Sequence, residues 1–78
     1  MELIGVLTFA EGQYWVCNGE EGWACPLAVG EWVEVLVGGE WLAMRMQSGG
    51  YHGRFLCGVD GRWMRPALCM RVRLALCC

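Results

Sequence analysis

The side chains with chemistry to offer in this 78-residue chain are six cysteines, one histidine, eight acids and six arginines. A zinc site draws on ligands about two to four residues apart, or on pairs that the fold brings together. Cys17 and Cys25 have seven residues between them, Cys57 and Cys69 eleven, and only Cys77 and Cys78 are close. Apolar packing is therefore the expected role of the first four, and no metal is expected. Cysteine–histidine catalysis would need His52 within hydrogen-bond reach of a thiol such as Cys57. Five residues along a strand span about 16 Å, which separates them. Glu11, Glu20 and Glu21 stand among glycines in turn-like stretches, where acids are expected. Thr8 and Ser48 are the only aliphatic hydroxyls and lysine is absent, so serine-hydrolase and lysine Schiff-base mechanisms find little to recruit. The glycines sit at hairpin turns with no lysine after them, so there is no phosphate loop. The expectation is a non-enzymatic protein without cofactors.

Binding chemistry has more material. Residues 1–40 carry seven acids and no Arg or Lys, whereas residues 41–78 carry six arginines against Asp60, for a net −2. Such a division fits either charges that pair across strands or a molecule with one acidic and one basic side. Arginines and aromatics on a small β domain can stack bases and neutralise phosphates. One candidate surface is therefore a nucleic-acid face of Arg45, Arg62, Arg65, Arg71 and Arg73. The other is a protein-binding surface of Trp32, Trp41 and Arg45, with the arginine over an indole. A protein partner is the primary expectation, with nucleic acid and self-association as alternatives.

These side chains depend on elements short enough for a small chain. At 8.7 kDa, folding hides about 62% of the extended surface. Apolar burial of about 120 kcal/mol then stands against about 117 kcal/mol of ordering. One domain over residues 1–78 is expected, with a core over about 2–74 and a tail at 75–78. Turn signals every eight to twelve residues point to an all-β fold. A strand over residues 2–9 leads through the three-residue link Ala10-Glu11-Gly12 into residues 13–17. Pro26 argues for a wrapping loop up to Gly30. Residues 31–37 and 40–46 form a hairpin on Gly38-Gly39, with Val37 opposite Glu40, Val35 opposite Leu42 and Val33 opposite Met44 on the core face. Leu36–Trp41, Glu34–Ala43 and Trp32–Arg45 pair on the reverse face, which is apolar enough to be either covered by another layer of the fold or used as the binding surface. Residues 47–50 form a turn. A strand over 51–59 turns at Asp60-Gly61, with Val59 opposite Arg62 and Cys57 opposite Met64. Residues 69–76 alternate cleanly, with Met70, Val72, Leu74 and Leu76 on one side and Arg71 and Arg73 on the other. The fold expected is a small SH3-like, mostly antiparallel barrel or strongly curled sheet of five or six strands.

Residues 1–7 provide neither a basic n-region nor an adequate apolar h-region, and no run approaches about 20 apolar residues. A cytoplasmic protein with reduced cysteines and no membrane contact is expected.

Gly5-x-Leu7, Tyr14, Cys25, Glu34-Val35, Gly39-x-Trp41, Arg45, Phe55-Leu56-x-Gly58 and Met70-Arg71-Val72 together resemble a small uncharacterised bacterial domain family associated with mobile elements, domain of unknown function 5348. The resemblance covers most of residues 3–73. It implies a compact all-β domain, with no assigned activity and no catalytic or binding residue to carry over.

Overall fold

The periodicity of two in the sequence is met by strands throughout. The computed structural model describes residues 2–49 and 53–75, and no helix occurs among them. The strands are β1 (Glu2–Ala10), β2 (Gln13–Asn18), β3 (Trp23–Leu27), β4 (Trp32–Val37), β5 (Glu40–Gly49), β6 (Gly53–Gly58), β7 (Trp63–Met64) and β8 (Arg71–Ala75). They form one sheet in the order β3-β2-β1-β8-β4-β5-β6-β7, with every neighbouring pair antiparallel. The all-β expectation holds, but the count is eight strands rather than five or six. The sheet is also not closed into a barrel, because β3 and β7 each have a single neighbour.

One additional strand, and the lengthening of another, come from stretches expected to be a loop and a turn. Residues 23–27 form a strand despite Pro26, which lies opposite Trp15 on the edge strand β3. Only one side of an edge strand needs donors, so the missing N–H can face away from the ladder. The stretch expected to turn at residues 47–50 stays extended through Gly49 within β5. His52, Tyr51, Cys77 and Cys78 lie outside the described residues.

The β4–β5 hairpin has the expected register at all six pairs, from Trp32–Arg45 to Val37–Glu40. The other two hairpins differ. Ala10 pairs with Gln13, so the first loop has two residues, Glu11 and Gly12, both at positive φ. That is the type I′ geometry favoured in two-residue hairpins. Between β6 and β7 the loop lengthens instead: Gly58 N–H donates to Arg62 O, leaving Val59, Asp60 and Gly61 as three loop residues. Gly61 takes φ 87°, the left-handed position that ends this loop type and that a side chain would strain. The pairs become Leu56–Met64 and Cys57–Trp63, one residue away from the expected register. A one-residue slip exchanges faces, so Met64 joins the core side and Trp63 turns outward.

The last strand lies in the middle. β8 pairs with β1 through Leu3–Leu74 and Gly5–Val72, and with β4 through Glu34–Arg73 and Val35–Val72. It joins the β1–β3 meander to the β4–β7 meander. Leu7, Val16, Leu27, Val33, Val35, Met44, Met46, Leu56 and Val72 fill the core, and each is fully or nearly fully buried. All nine lie on one face of one sheet. With no helix to cover them, the sheet curls that face inward, consistent with extents of 34 × 29 × 26 Å. The backbones come closest at Gly5, where an added Cβ would run into the Cys17 carbonyl and lie 3.3 Å from the Trp23 ring. Glycine there lets the end of β2 lie close against β1.

Folding also redistributes the charge. The β1–β3 meander keeps Glu11, Glu20 and Glu21 in its turns, with no arginine beside them in sequence. Strand β4 carries Glu34 among the arginines of the second half, and β8 inserts Arg71 and Arg73 between the meanders. The division along the chain is therefore not a division into two sides.

Candidate functional site

The inward curl leaves an outer face on β4–β7. At one end of the β4–β5 hairpin, Trp41 pairs with Leu36 and lies beneath Arg73, whose guanidinium carbon is 4.5 Å from the indole centroid. Arg73 also donates from Nε to Glu34 Oε1 at 3.1 Å and from Nη2 to Glu34 Oε2 at 2.9 Å. Both partners are largely covered, with side chains 21% and 32% exposed for Arg73 and Glu34. The Arg73 hydrogen bonds hold the Glu34 carboxyl below its ordinary 4.5. Partial desolvation pulls the other way, and the positive charge of Arg73 adds to the lowering. Among the described residues the arginine found over an indole is Arg73 on Trp41, not Arg45.

The opposite end of the hairpin is open. Trp32 on β4 pairs with Arg45 on β5, Arg45 with Cys57 on β6, and Cys57 with Trp63 on β7. These four residues form a continuous row across four strands. Trp32 is 49% and Trp63 60% exposed. At about 4.8 Å between strands, the backbones that carry the two indoles are about 14 Å apart along the sheet, with Arg45 and Cys57 between them. Phe55 meets Trp63 edge to face, with centroids 6.3 Å apart, and fixes that indole from the side. Arg45 spends its Nε on the Gly30 carbonyl at 3.1 Å. That carbonyl belongs to a bulge in which Gly30 N–H donates to Met46 O while Met46 N–H donates to Glu31 O. Arg45 is thus held in place by backbone and makes no ion pair with a described carboxylate, while its side chain stays exposed.

Trp32 and Arg45 are direct neighbours, as the sequence indicates, whereas Trp41 lies four residues along the strand, about 13 Å away. Trp63 is the member that sequence reasoning missed, since the two-residue turn expected at Asp60-Gly61 sets Met64 rather than Trp63 opposite Cys57. The available signal was Val59-Asp60-Gly61, which suits a three-residue loop ending in glycine as well as it suits a two-residue one.

The five arginines proposed for nucleic acid do not form one stripe. Arg73 is bound to Glu34, and Arg62 Nε lies 3.0 Å from Asp60 Oδ2. Arg71 lines an open groove whose other walls include Asn18, Glu20 and Glu21. Arg45 and Arg65 are exposed on the β4–β7 meander. The cysteines are similarly dispersed. Cys17 Sγ lies 3.1 Å from Thr8 Oγ1, Cys25 faces Val16 across the strands, Cys57 is in the outer row, and Cys69 is in a turn. Among the described residues no three His, Cys, Asp or Glu side chains gather as a metal-ligand set, and no helix is long and apolar enough to cross a membrane.

The profile of a family described as a domain of unknown function (DUF5348) matches residues 5–73. The chain belongs to this family. No curated protein and no solved structure matches the chain. The family match covers all of β2–β7 and most of β1 and β8, and so includes the whole outer row.

Proposed function

We propose that this domain is a non-enzymatic interaction module that binds a protein partner through the outer face of β4–β7. The observation that carries the reading is the row Trp32–Arg45–Cys57–Trp63, with two exposed indoles flanking an arginine that has no carboxylate partner among the described residues. Tryptophan and arginine are the residue types that most often dominate the energy of protein interfaces. They combine large apolar area with few rotatable bonds and a planar set of donors. An SH3-like character, a cytoplasmic setting and the bacterial mobile-element association belong to the same proposal.

The test is selection of peptides from a display library on the folded domain, followed by mapping of the bound peptide by backbone amide shifts. Shifts centred on Trp32, Arg45, Cys57 and Trp63 support the reading. Shifts centred on the β1–β3 meander contradict it.

The nucleic-acid alternative would use Arg45 and Arg65 beside the aromatic side chains, because Arg62 and Arg73 are engaged within the fold. Titration with single- and double-stranded oligonucleotides at low and moderate salt separates the two. Tryptophan quenching at low salt that weakens as salt rises supports nucleic acid. An unchanged signal at low salt rules it out. Sedimentation over a range of concentrations separates self-association from both.

A further inference from the structure

On the other side of the sheet, Arg54 extends from the inner face of β6 at the end of the core. It is two residues from fully buried Leu56 and directly opposite Ser48 on β5. Arg54 is half-buried, and its Nη1 is shut away from solvent with no hydrogen-bond partner. Arginine stays charged in proteins, so its burial is not relieved by neutralisation. A buried donor left unpaired on a charged group is costly, and native structures rarely keep one without a reason.

Among the described residues no carboxylate pairs with Arg54. Glu34 is bound to Arg73, Asp60 to Arg62, Glu21 accepts from Trp23 Nε1, and Glu31 accepts from the Ala28 N–H. Glu11, Glu20 and Glu40 are exposed in or beside other turns. Ser48 provides a second donor beside Arg54, since directly opposed residues place their Cβ atoms about 5 Å apart.

We propose that Arg54, with Ser48 beside it, is a binding site for an oxyanion, a carboxylate or phosphate group supplied from outside the chain. The planar guanidinium suits either group, and turning it outward beside Ser48 would exchange the unpaired, buried Nη1 for hydrogen bonds to the incoming oxygens. The site lies on the inner side of the sheet and does not depend on the tryptophan row of the outer face.

The test titrates the folded domain separately with inorganic phosphate and with acetate, against sodium chloride at matched ionic strength. The readouts are the side-chain nitrogen shifts of Arg54 and the melting temperature. The expected result is a saturable Arg54 shift and a rise in melting temperature beyond the chloride control. Arg54→Gln should weaken the response about tenfold or more, and Ser48→Ala should weaken it less. Tighter phosphate binding identifies a phosphorylated ligand, and an equal or tighter acetate response identifies a carboxylate. Arg54→Met should melt higher than the parent without added anion and gain nothing from either salt, as expected when a residue is kept for binding at the expense of stability. Equal responses in the parent and Arg54→Gln, or no response to either anion, overturn the proposal. So does an Arg54→Met protein that melts lower than the parent, because Arg54 would then be serving the fold.

Discussion

The outer face of the β4–β5 hairpin carries an indole and an arginine at each end, and the two ends behave differently. At the Trp41 end, Arg73 covers the ring and clasps Glu34 with two hydrogen bonds. At the Trp32 end, Arg45 reaches the Gly30 carbonyl and no carboxylate among the described residues, and Trp32 and Trp63 stand about half exposed. Residue type alone does not separate structural from available groups here. The neighbouring strand does: β8 brings a second arginine to one end, while β6 and β7 bring Cys57 and another exposed indole to the other.

The largest effect that could break this contrast is on binding. Trp32→Ala and Trp63→Ala should each weaken a selected peptide about tenfold or more, while costing less than about 1 kcal/mol of stability. Trp41→Ala should do the reverse, lowering the melting temperature and leaving affinity within about twofold. Isothermal titration and thermal melts on the three variants decide it.

Next in size is the contrast between arginines. Arg73→Ala uncovers Trp41 and strands Glu34, so it should lower the melting temperature by several degrees. Arg45→Ala gives up one hydrogen bond to a carbonyl, worth about 1 kcal/mol, and should lower it less. The opposite order would make the open end the structural one.

A smaller effect concerns pH. With its carboxyl held below 4.5 in the fold, Glu34 binds fewer protons folded than unfolded near that pH. Its contribution is present above the ordinary carboxylate range and is lost as pH falls through the lowered folded value. Glu34→Gln should flatten that part of the acid limb of denaturant-measured stability, whereas Glu31→Gln should leave it in place.

The smallest effect lies outside both ends. Cys69 sits at φ 68°, in a bulge where its N–H donates to Leu7 O while Leu7 N–H donates to Met70 O. The corresponding position in the other bulge is Gly30 at φ 95°. Cys69→Gly should therefore raise stability by about 0.5–1 kcal/mol without altering peptide binding.

Legibility in the sequence followed the strength of the local signals. Gly38-Gly39 between two alternating runs admits one hairpin, and every expected pair is present. Asp60-Gly61 admits two loop lengths that differ by one residue, and choosing between them decides where Trp63 points. Pro26 disfavours a central strand but not an edge, and edge position is a property of the whole sheet. The alternation in residues 70–74 shows a half-buried strand, yet nothing local reveals that it would lie between β1 and β4. The pairing of Arg73 with Glu34, 39 residues away, follows from that placement. Trp32 and Arg45 were therefore visible as neighbours from the sequence, while the cover over Trp41 and the fourth member of the row were not.

The contrast between the two ends is tested most directly by residue-resolved oxidative footprinting of the folded protein, with modification at each tryptophan quantified by mass spectrometry. Trp32 and Trp63 should be modified well before Trp41, and Arg73→Ala should raise Trp41 toward them. Modification of Trp41 as fast as Trp32 in the unaltered protein, or protection of Trp32 and Trp63, would contradict an open end set against a closed one.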